Sequence, residues 1–262
     1  MPNSYIRPAI DNGKFPMHWF EEWFDSPLYD LLYTNRNEDE AVQLVELIEK
    51  VVPVDQFPRV LDLGCGRGRH SLTLAKCGYQ VTGIDLAEEA IRIARQKAEE
   101  RSLPNVRFLV RDMREPLPEI FDSVVNLFTS FGYFKEDDEN IRTLDSVARM
   151  LRPDGKFFMD YMNADWVRNN YQPDDEGEFR NIRFKIRRYI EDDIIYKRIT
   201  FEGDVLEEPK TYLEQVKLYD LEWFIESFDR CGFEVEKLFG NYKGQRYDPE
   251  TCSRLVMVAN KQ

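Results

Sequence analysis

"VLDLGCGRGRHSLTLA", residues 60–75, sets an apolar run against a turn of three glycines and then a stretch that favours helix. Glycines at 64, 66 and 68 let the backbone turn sharply and let a ligand approach it closely, and the start of the following helix offers unpaired N–H donors. The residues around this turn repeat the same alternation. Arg59 to Leu63 reads as a buried strand, His70 to Lys76 as a helix ended by Gly78, Gln80 to Asp85 as a strand and Glu88 to Arg101 as a helix. Val106 to Val110 and Asp122 to Phe128 read as strands. Asp137 to Leu151 reads as a helix stopped by Pro153 and Gly155, and Lys156 to Tyr161 as another strand. Strands alternating with helices form right-handed crossovers and a parallel sheet covered on both faces.

On either side the pattern changes. Upstream, an aromatic-rich segment (Phe15 to Tyr33) precedes the first clear helix, "NEDEAVQLVELIEKVV", which has a cap-like Asn37 and apolar residues at 41, 42, 44, 45, 48 and 52. Downstream, "FRNIRFKIRRYIEDDIIYKRITFEG" alternates with period two about the turn Glu191-Asp192-Asp193, as an antiparallel hairpin does, and "TYLEQVKLYD" adds a strand. A helix in "DLEWFIESFDRCG" and strands in "FEVEKLFG" and "SRLVMVANK" return to the α/β style. The expected fold is a doubly wound α/β domain with an antiparallel insert. Its parts are an aromatic cap over residues 1–36, a core over 37–164, the insert over 165–218 and the rest of the core over 219–262.

Composition narrows the function. The net charge of −13 repels phosphodiester backbones, so a nucleic-acid partner is not expected. Four cysteines form no CxxC pair, and with two histidines they make a Cys/His metal site improbable. No apolar stretch is long enough to cross a bilayer, no signal pattern opens the chain, and free thiols suit a reducing compartment; a cytoplasmic protein with no membrane partner is expected.

The glycine turn decides between ligands. A phosphate loop needs GK[ST] after four spacer residues, which the chain lacks. The dinucleotide fingerprint G-x-G-x-x-G fails on spacing, since Arg69 stands where the third glycine would fall. Asp85, at the end of the next strand, suits the hydroxyls of a ribose in either case. Asp62-Leu-Gly-Cys-Gly-Arg-Gly resembles motif I of the class I S-adenosylmethionine-dependent methyltransferases. "VRDMRE", with Asp112 and Met113, resembles their adenine-binding stretch, and "FDSVVNLFTSFGYF" their fourth strand and the loop facing the methyl group.

This resemblance implies a seven-stranded sheet whose seventh strand is antiparallel. It implies S-adenosylmethionine as cofactor and S-adenosylhomocysteine as product. It puts Asp62, Gly64, Cys65, Gly66, Gly68, Arg69, Asp85, Leu86, Asp112, Met113, Asn126, Leu127 and Phe128 at the cofactor. No metal is implied. An NAD(P)-dependent oxidoreductase and a non-catalytic binding protein on the same fold stay open at this point.

The acceptor side is less legible. [ND]PP[YF], common in enzymes that methylate bases or glutamine, is absent, and "LFTSFGYF" with "LYDLLY" most resembles small-molecule and sugar N-methyltransferases. A small-molecule N or O nucleophile is the expected acceptor. Tyr29 and Tyr33, four apart on one helix face, and Tyr133 are the candidate catalytic residues, in a positioning role. His70 is expected to support the helix start, and His18 to pack or face solvent. The hairpin charges from Arg183 to Asp193 are expected on a solvated sheet face. The insert is expected to cover the substrate pocket or to form a subunit contact, as in a homodimer.

Overall fold

Neighbouring residues of the central strands bury themselves in two different cores, which is how a sheet covered on both faces reads at atomic scale. In the computed structural model, which describes residues 19–33 and 38–262, Leu61, Val124, Phe157 and Met257 pack on one face with Leu144, Val147, Phe224 and Phe228. Val60, Val125, Phe158 and Val256 pack on the other with Leu44, Ile48 and Leu74. His18 and Asn37 lie outside the described residues.

The elements run α1 (Trp19–Asp25), α2 (Pro27–Leu32), α3 (Glu38–Val51), β1 (Arg59–Leu63), α4 (Arg69–Lys76), β2 (Gln80–Asp85), α5 (Glu88–Glu100) and β3 (Val106–Val110). They continue with β4 (Phe121–Asn126), α6 (Asp137–Met150), β5 (Leu151–Met162) and α7 (Ala164–Asn170). The insert follows as β6 (Asp174–Phe179), β7 (Ile182–Glu191), β8 (Ile194–Glu202) and β9 (Lys210–Lys217), before α8 (Leu221–Arg230), β10 (Phe233–Phe239) and β11 (Arg254–Lys261).

The main sheet has seven strands in the order β10-β11-β5-β4-β1-β2-β3, and β11 runs antiparallel to both of its neighbours. It is the seventh strand of that sheet in chain order, as the resemblance implied. β6 to β9 form a separate antiparallel sheet in chain order. Its inner residues Ile186, Ile199 and Phe201 pack with Trp19, Phe20 and Trp23 of α1, so the insert and the aromatic segment share one core.

Several expectations need correction. The aromatic segment holds the helix expected around Tyr29, with Tyr33 capping its end, and also a helix that was not expected, α1, whose apolar residues find the insert sheet to pack against. Val42 is 43% exposed, off the buried face of α3. β4 ends at Asn126, two residues early, because Phe128 and Thr129 adopt φ of +58° and +62° and turn away from the sheet.

Pro153 and Gly155 do not stop α6; the helix ends at Met150 and both lie within β5. Pairing jumps from Phe121↔Leu151 to Ser123↔Lys156, so the extra residues bulge out where a proline needs no ladder bond. α7 and β6 were not expected. Of the hairpin charges, Arg188 is half-buried rather than solvated; the others are exposed.

Candidate active site

At the carboxyl ends of β1, β2 and β4 the chain encloses a cavity of about 470 Å³, within the usual range for a small-ligand or cofactor site. Its floor is the glycine turn. Gly64, Gly66 and Gly68 have φ of +70°, +53° and +75°, a region that side chains resist. A Cβ on Gly64 would lie 2.7 Å from Ser130 Cβ, and one on Gly68 2.8 Å from the Phe108 ring, so close packing requires both glycines. A Cβ on Gly66 would meet nothing within 4 Å, so the middle of the turn is left open.

Asp85 closes one side. Its Oδ2 accepts from the Gly66 N–H at 2.8 Å and its Oδ1 from the Ala87 N–H at 2.9 Å. Burial pushes its pKa up, against those two N–H bonds, and each oxygen keeps a lone pair for a further donor. Leu86, Met113, Leu127 and Phe128 add apolar wall, and Cys65 contributes mainly backbone: its N–H donates to Ile84 O at 3.0 Å. Burial pushes the Cys65 thiol well above its usual range, so it is not a nucleophile.

Four of the expected cofactor residues do not line this cavity. Asp62, 2% exposed, accepts from Ser71 Oγ at 2.5 Å. Gly68 starts α4. Asp112 is gripped by Arg114, which donates to both of its oxygens; burial raises its pKa, but these bonds outweigh that and hold it low. Asn126 ties β1 to the loop after β4, donating from Nδ2 to Leu63 O and Ser130 O at 3.0 Å each. Arg69 does line the cavity, with its guanidinium 3.3 Å from Glu40, 3.2 Å from His70 Nε2 and over the Phe128 ring.

The far wall is aromatic. Trp19, Phe20 and Phe24 of α1 pack around Tyr133, with ring centroids 5.3 to 6.5 Å from it. Tyr29 and Tyr33 stand 4.8 Å apart, with Arg67 over the Tyr29 ring. Glu214 of β9 lies in this wall: its Oε1 accepts from the Tyr33 hydroxyl at 2.7 Å and from Trp23 Nε1 at 2.6 Å, and its Oε2 lies 3.2 Å from Lys197 Nζ. Lys197 also donates to the Tyr33 hydroxyl.

Beneath the loop after β4 sits a fully buried carboxylate, Asp160, bound by Arg254, the Phe128 N–H and the Tyr242 hydroxyl. Neither Glu214 nor the Asp160–Arg254 pair was anticipated. Each joins residues from distant segments, and no spacing in the sequence signals them.

A methyltransferase-domain family profile matches residues 60–155. YqeM of Bacillus subtilis, a chain assigned to the methyltransferases, is 30% identical over 242 residues, covering 89% of this chain and 94% of its own. The chain belongs to the S-adenosylmethionine-dependent methyltransferases.

This methyltransferase also matches a Streptomyces venezuelae dTDP-3-amino-3,4,6-trideoxy-alpha-D-glucopyranose N,N-dimethyltransferase, at 32% identity over 132 residues, 49% of this chain and 53% of that one. An S-adenosylmethionine-dependent methyltransferase from Clostridium acetobutylicum shares its fold, with a TM-score of 0.76 at 18% identity over 89% of this chain and 96% of that one. The dinucleotide alternative is not favoured. The methyltransferase's open glycine turn, paired with a carboxylate that can take ribose hydroxyls, fits the cofactor of the family. Among its described residues no cluster of His, Cys, Asp or Glu could hold a metal, and no helix is long and apolar enough to cross a membrane.

Proposed function

We propose that the enzyme methylates a nitrogen or oxygen nucleophile of a small molecule bound at the aromatic end of the cavity. The observation that carries this reading is the wall of Trp19, Phe20, Phe24 and Tyr133 with a carboxylate, Glu214, and a phenol, Tyr33, set into it. Such a wall suits a compact organic acceptor, and the amino-sugar substrate in the name of the Streptomyces venezuelae relative supports an amine. Gly64 and Gly66 would cradle the cofactor, Asp85 would accept from its ribose, and Leu86 and Met113 would flank its adenine.

The bound sulfonium supplies an already activated methyl group, so the protein's task is alignment and exclusion of water. The aromatic rings exclude water. Tyr33 is placed to relay the acceptor's proton to Glu214, giving its own proton to the carboxylate as it takes the new one, so that the phenol is restored and Glu214 ends neutral, while Lys197 holds the phenol oxygen in place. Tyr29 and Tyr133 would position the acceptor. The insert, with β9 in the cavity wall, would serve as its cover. A cytoplasmic location, an acceptor other than nucleic acid and a homodimer belong to the same reading.

Isothermal titration is expected to show binding of S-adenosylmethionine and S-adenosylhomocysteine and none of NAD; tight NAD binding alone would overturn the reading. Methyl-labelled S-adenosylmethionine, offered a panel of amines, phenols and carboxylates, identifies the acceptor class. With the acceptor so found, Tyr33→Phe is expected to lower kcat about 100-fold, within the range for general acid–base groups, and to leave cofactor affinity within about twofold.

A further inference from the structure

Arg254 opens β11, and the way it is held leaves part of it unused. Its Nε and Nη2 donate to Asp160 Oδ1 at 2.8 and 2.6 Å, and Nη2 also donates to Thr129 Oγ1 at 3.1 Å. The other oxygen of Asp160 accepts from the Phe128 N–H and the Tyr242 hydroxyl, at 2.8 Å each. The guanidinium is therefore fixed in orientation by a carboxylate that is itself fixed. Its third nitrogen, Nη1, has no hydrogen-bond partner among the described residues, although Arg254 lines the cavity. Thr129 lines it too. Its hydroxyl oxygen is taken by Arg254, and its hydroxyl proton has no acceptor among the described residues.

Two donors thus share one wall, one of them a cation. The sheet order says which end of a ligand they face. The glycine turn leaves the end of β1, Asp85 ends β2 on one side of it, and β4, β5 and β11 lie in turn on the other. Ser130, next to Thr129, donates from Oγ to Gly64 O at 3.2 Å, so this loop borders the turn. A ligand lying across the turn with a ribose at Asp85 directs its opposite end toward Arg254. Arg69, a second cation of the cavity lining, is turned toward Glu40 and His70. Glu40 also acts on Arg254 through its charge, but the charge in contact with it is Asp160.

We propose that Arg254 and Thr129 bind the carboxylate at the methionyl end of the cofactor, so that the seventh strand of the sheet recognises that end. A guanidinium suits a carboxylate in geometry as well as charge. The inference rests on S-adenosylmethionine being the cofactor, and its test needs no acceptor.

Isothermal titration compares S-adenosylhomocysteine with 5′-methylthioadenosine, which keeps the adenosine and sulfur but lacks the amino-acid end. Arg254→Gln is expected to weaken S-adenosylhomocysteine about 10- to 100-fold, the scale of a lost charge-assisted hydrogen bond, and to leave 5′-methylthioadenosine unchanged. Thr129→Val, which keeps the Arg254–Asp160 pair, is expected to show the same selectivity with a smaller loss, and it carries the test if Arg254→Gln does not fold. Equal weakening of both ligands, or an unchanged affinity for S-adenosylhomocysteine, would overturn the proposal. So would loss of inorganic phosphate binding by the S-adenosylhomocysteine complex of Arg254→Gln without loss of S-adenosylhomocysteine affinity, since the pair would then serve an anionic acceptor. Wild-type protein that binds neither adenosine compound would sink the cofactor reading instead.

Discussion

Asp62 keeps its carboxyl group 2% exposed, and burial, reinforced by Asp85, pushes its pKa up to about 7 against the pull of the Ser71 hydroxyl. In an unfolded chain the group titrates near pH 3.9. A folded-state pKa above the unfolded one means that the native state keeps a proton the unfolded state loses. The stability this confers is complete below about pH 4 and is lost as pH rises to about 7, by up to about 4 kcal/mol. Urea unfolding at several pH values between 4 and 7 is expected to show this downward trend, and Asp62→Asn to remove most of it. The glycines divide in a similar way. Gly68→Ala drives a methyl group toward Phe108 and is expected to destabilise by more than the roughly 1–2 kcal/mol of a left-handed side chain. Gly66→Ala meets only that strain, and its methyl group projects into open space, so cofactor affinity is expected to fall more than stability. Thermal unfolding and titration with S-adenosylhomocysteine, run on both variants, separate the two effects.

Among the elements, the loop after β4 depends on Asp160 for its shape. Phe128 and Thr129 are held at positive φ by bonds to that one residue: the Phe128 N–H to its carboxylate and the Thr129 N–H to its carbonyl at 2.9 Å. Asp160→Ala removes the carboxylate and strands Arg254, so a loss of about 3–5 kcal/mol in unfolding free energy is expected, the usual result of breaking a buried pair. The sequence shows the strand that carries Asp160 but not this role. Residues 94 apart, such as Asp160 and Arg254, leave no periodic trace. By contrast β1, β2 and β3 are legible to the residue, because each is an apolar-rich run between turn residues; β1 and β2 are buried over most of their length, while β3, at the sheet edge, buries Phe108 alone. β6, "DDEGEF", has no such run: its residues are exposed or half-buried, and pairing with β7 alone makes it a strand. The bulge at the start of β5 is hidden for a related reason, since Pro153 and Gly155 read as a stop wherever the partner strand is unseen. At the site, the glycine turn and Asp85 are local and could be read, whereas Glu214 belongs to a strand whose alternation shows no cavity.

Across the whole molecule, α1 and α2 lie between the insert sheet and the cofactor-binding core. On one side Trp23 and Tyr33 donate to Glu214, and Ser26 Oγ donates to the Tyr212 hydroxyl at 3.0 Å. On the other, the Glu89 N–H at the start of α5 donates to Asp25 Oδ1 at 3.0 Å. Glu214→Leu leaves the two donors without their acceptor. Hydrogen exchange is expected to rise about tenfold or more across residues 19–33, with exchange in β1, β4 and β5 unchanged. Uniform acceleration would show instead that this region and the core open together.

The position of β11 in the sheet also bears on how the chain is made. Residues 254–261 form not an edge but an interior strand, paired with β5, about a hundred residues earlier, on one side and with β10 on the other. The insert pairs only with itself in consecutive hairpins, so it can form as soon as it leaves the ribosome. The main sheet must hold a gap until its last strand arrives, and Arg254 arrives with it. A nascent chain short of residue 261 therefore carries every glycine of the cofactor turn and still lacks the strand that completes the pocket.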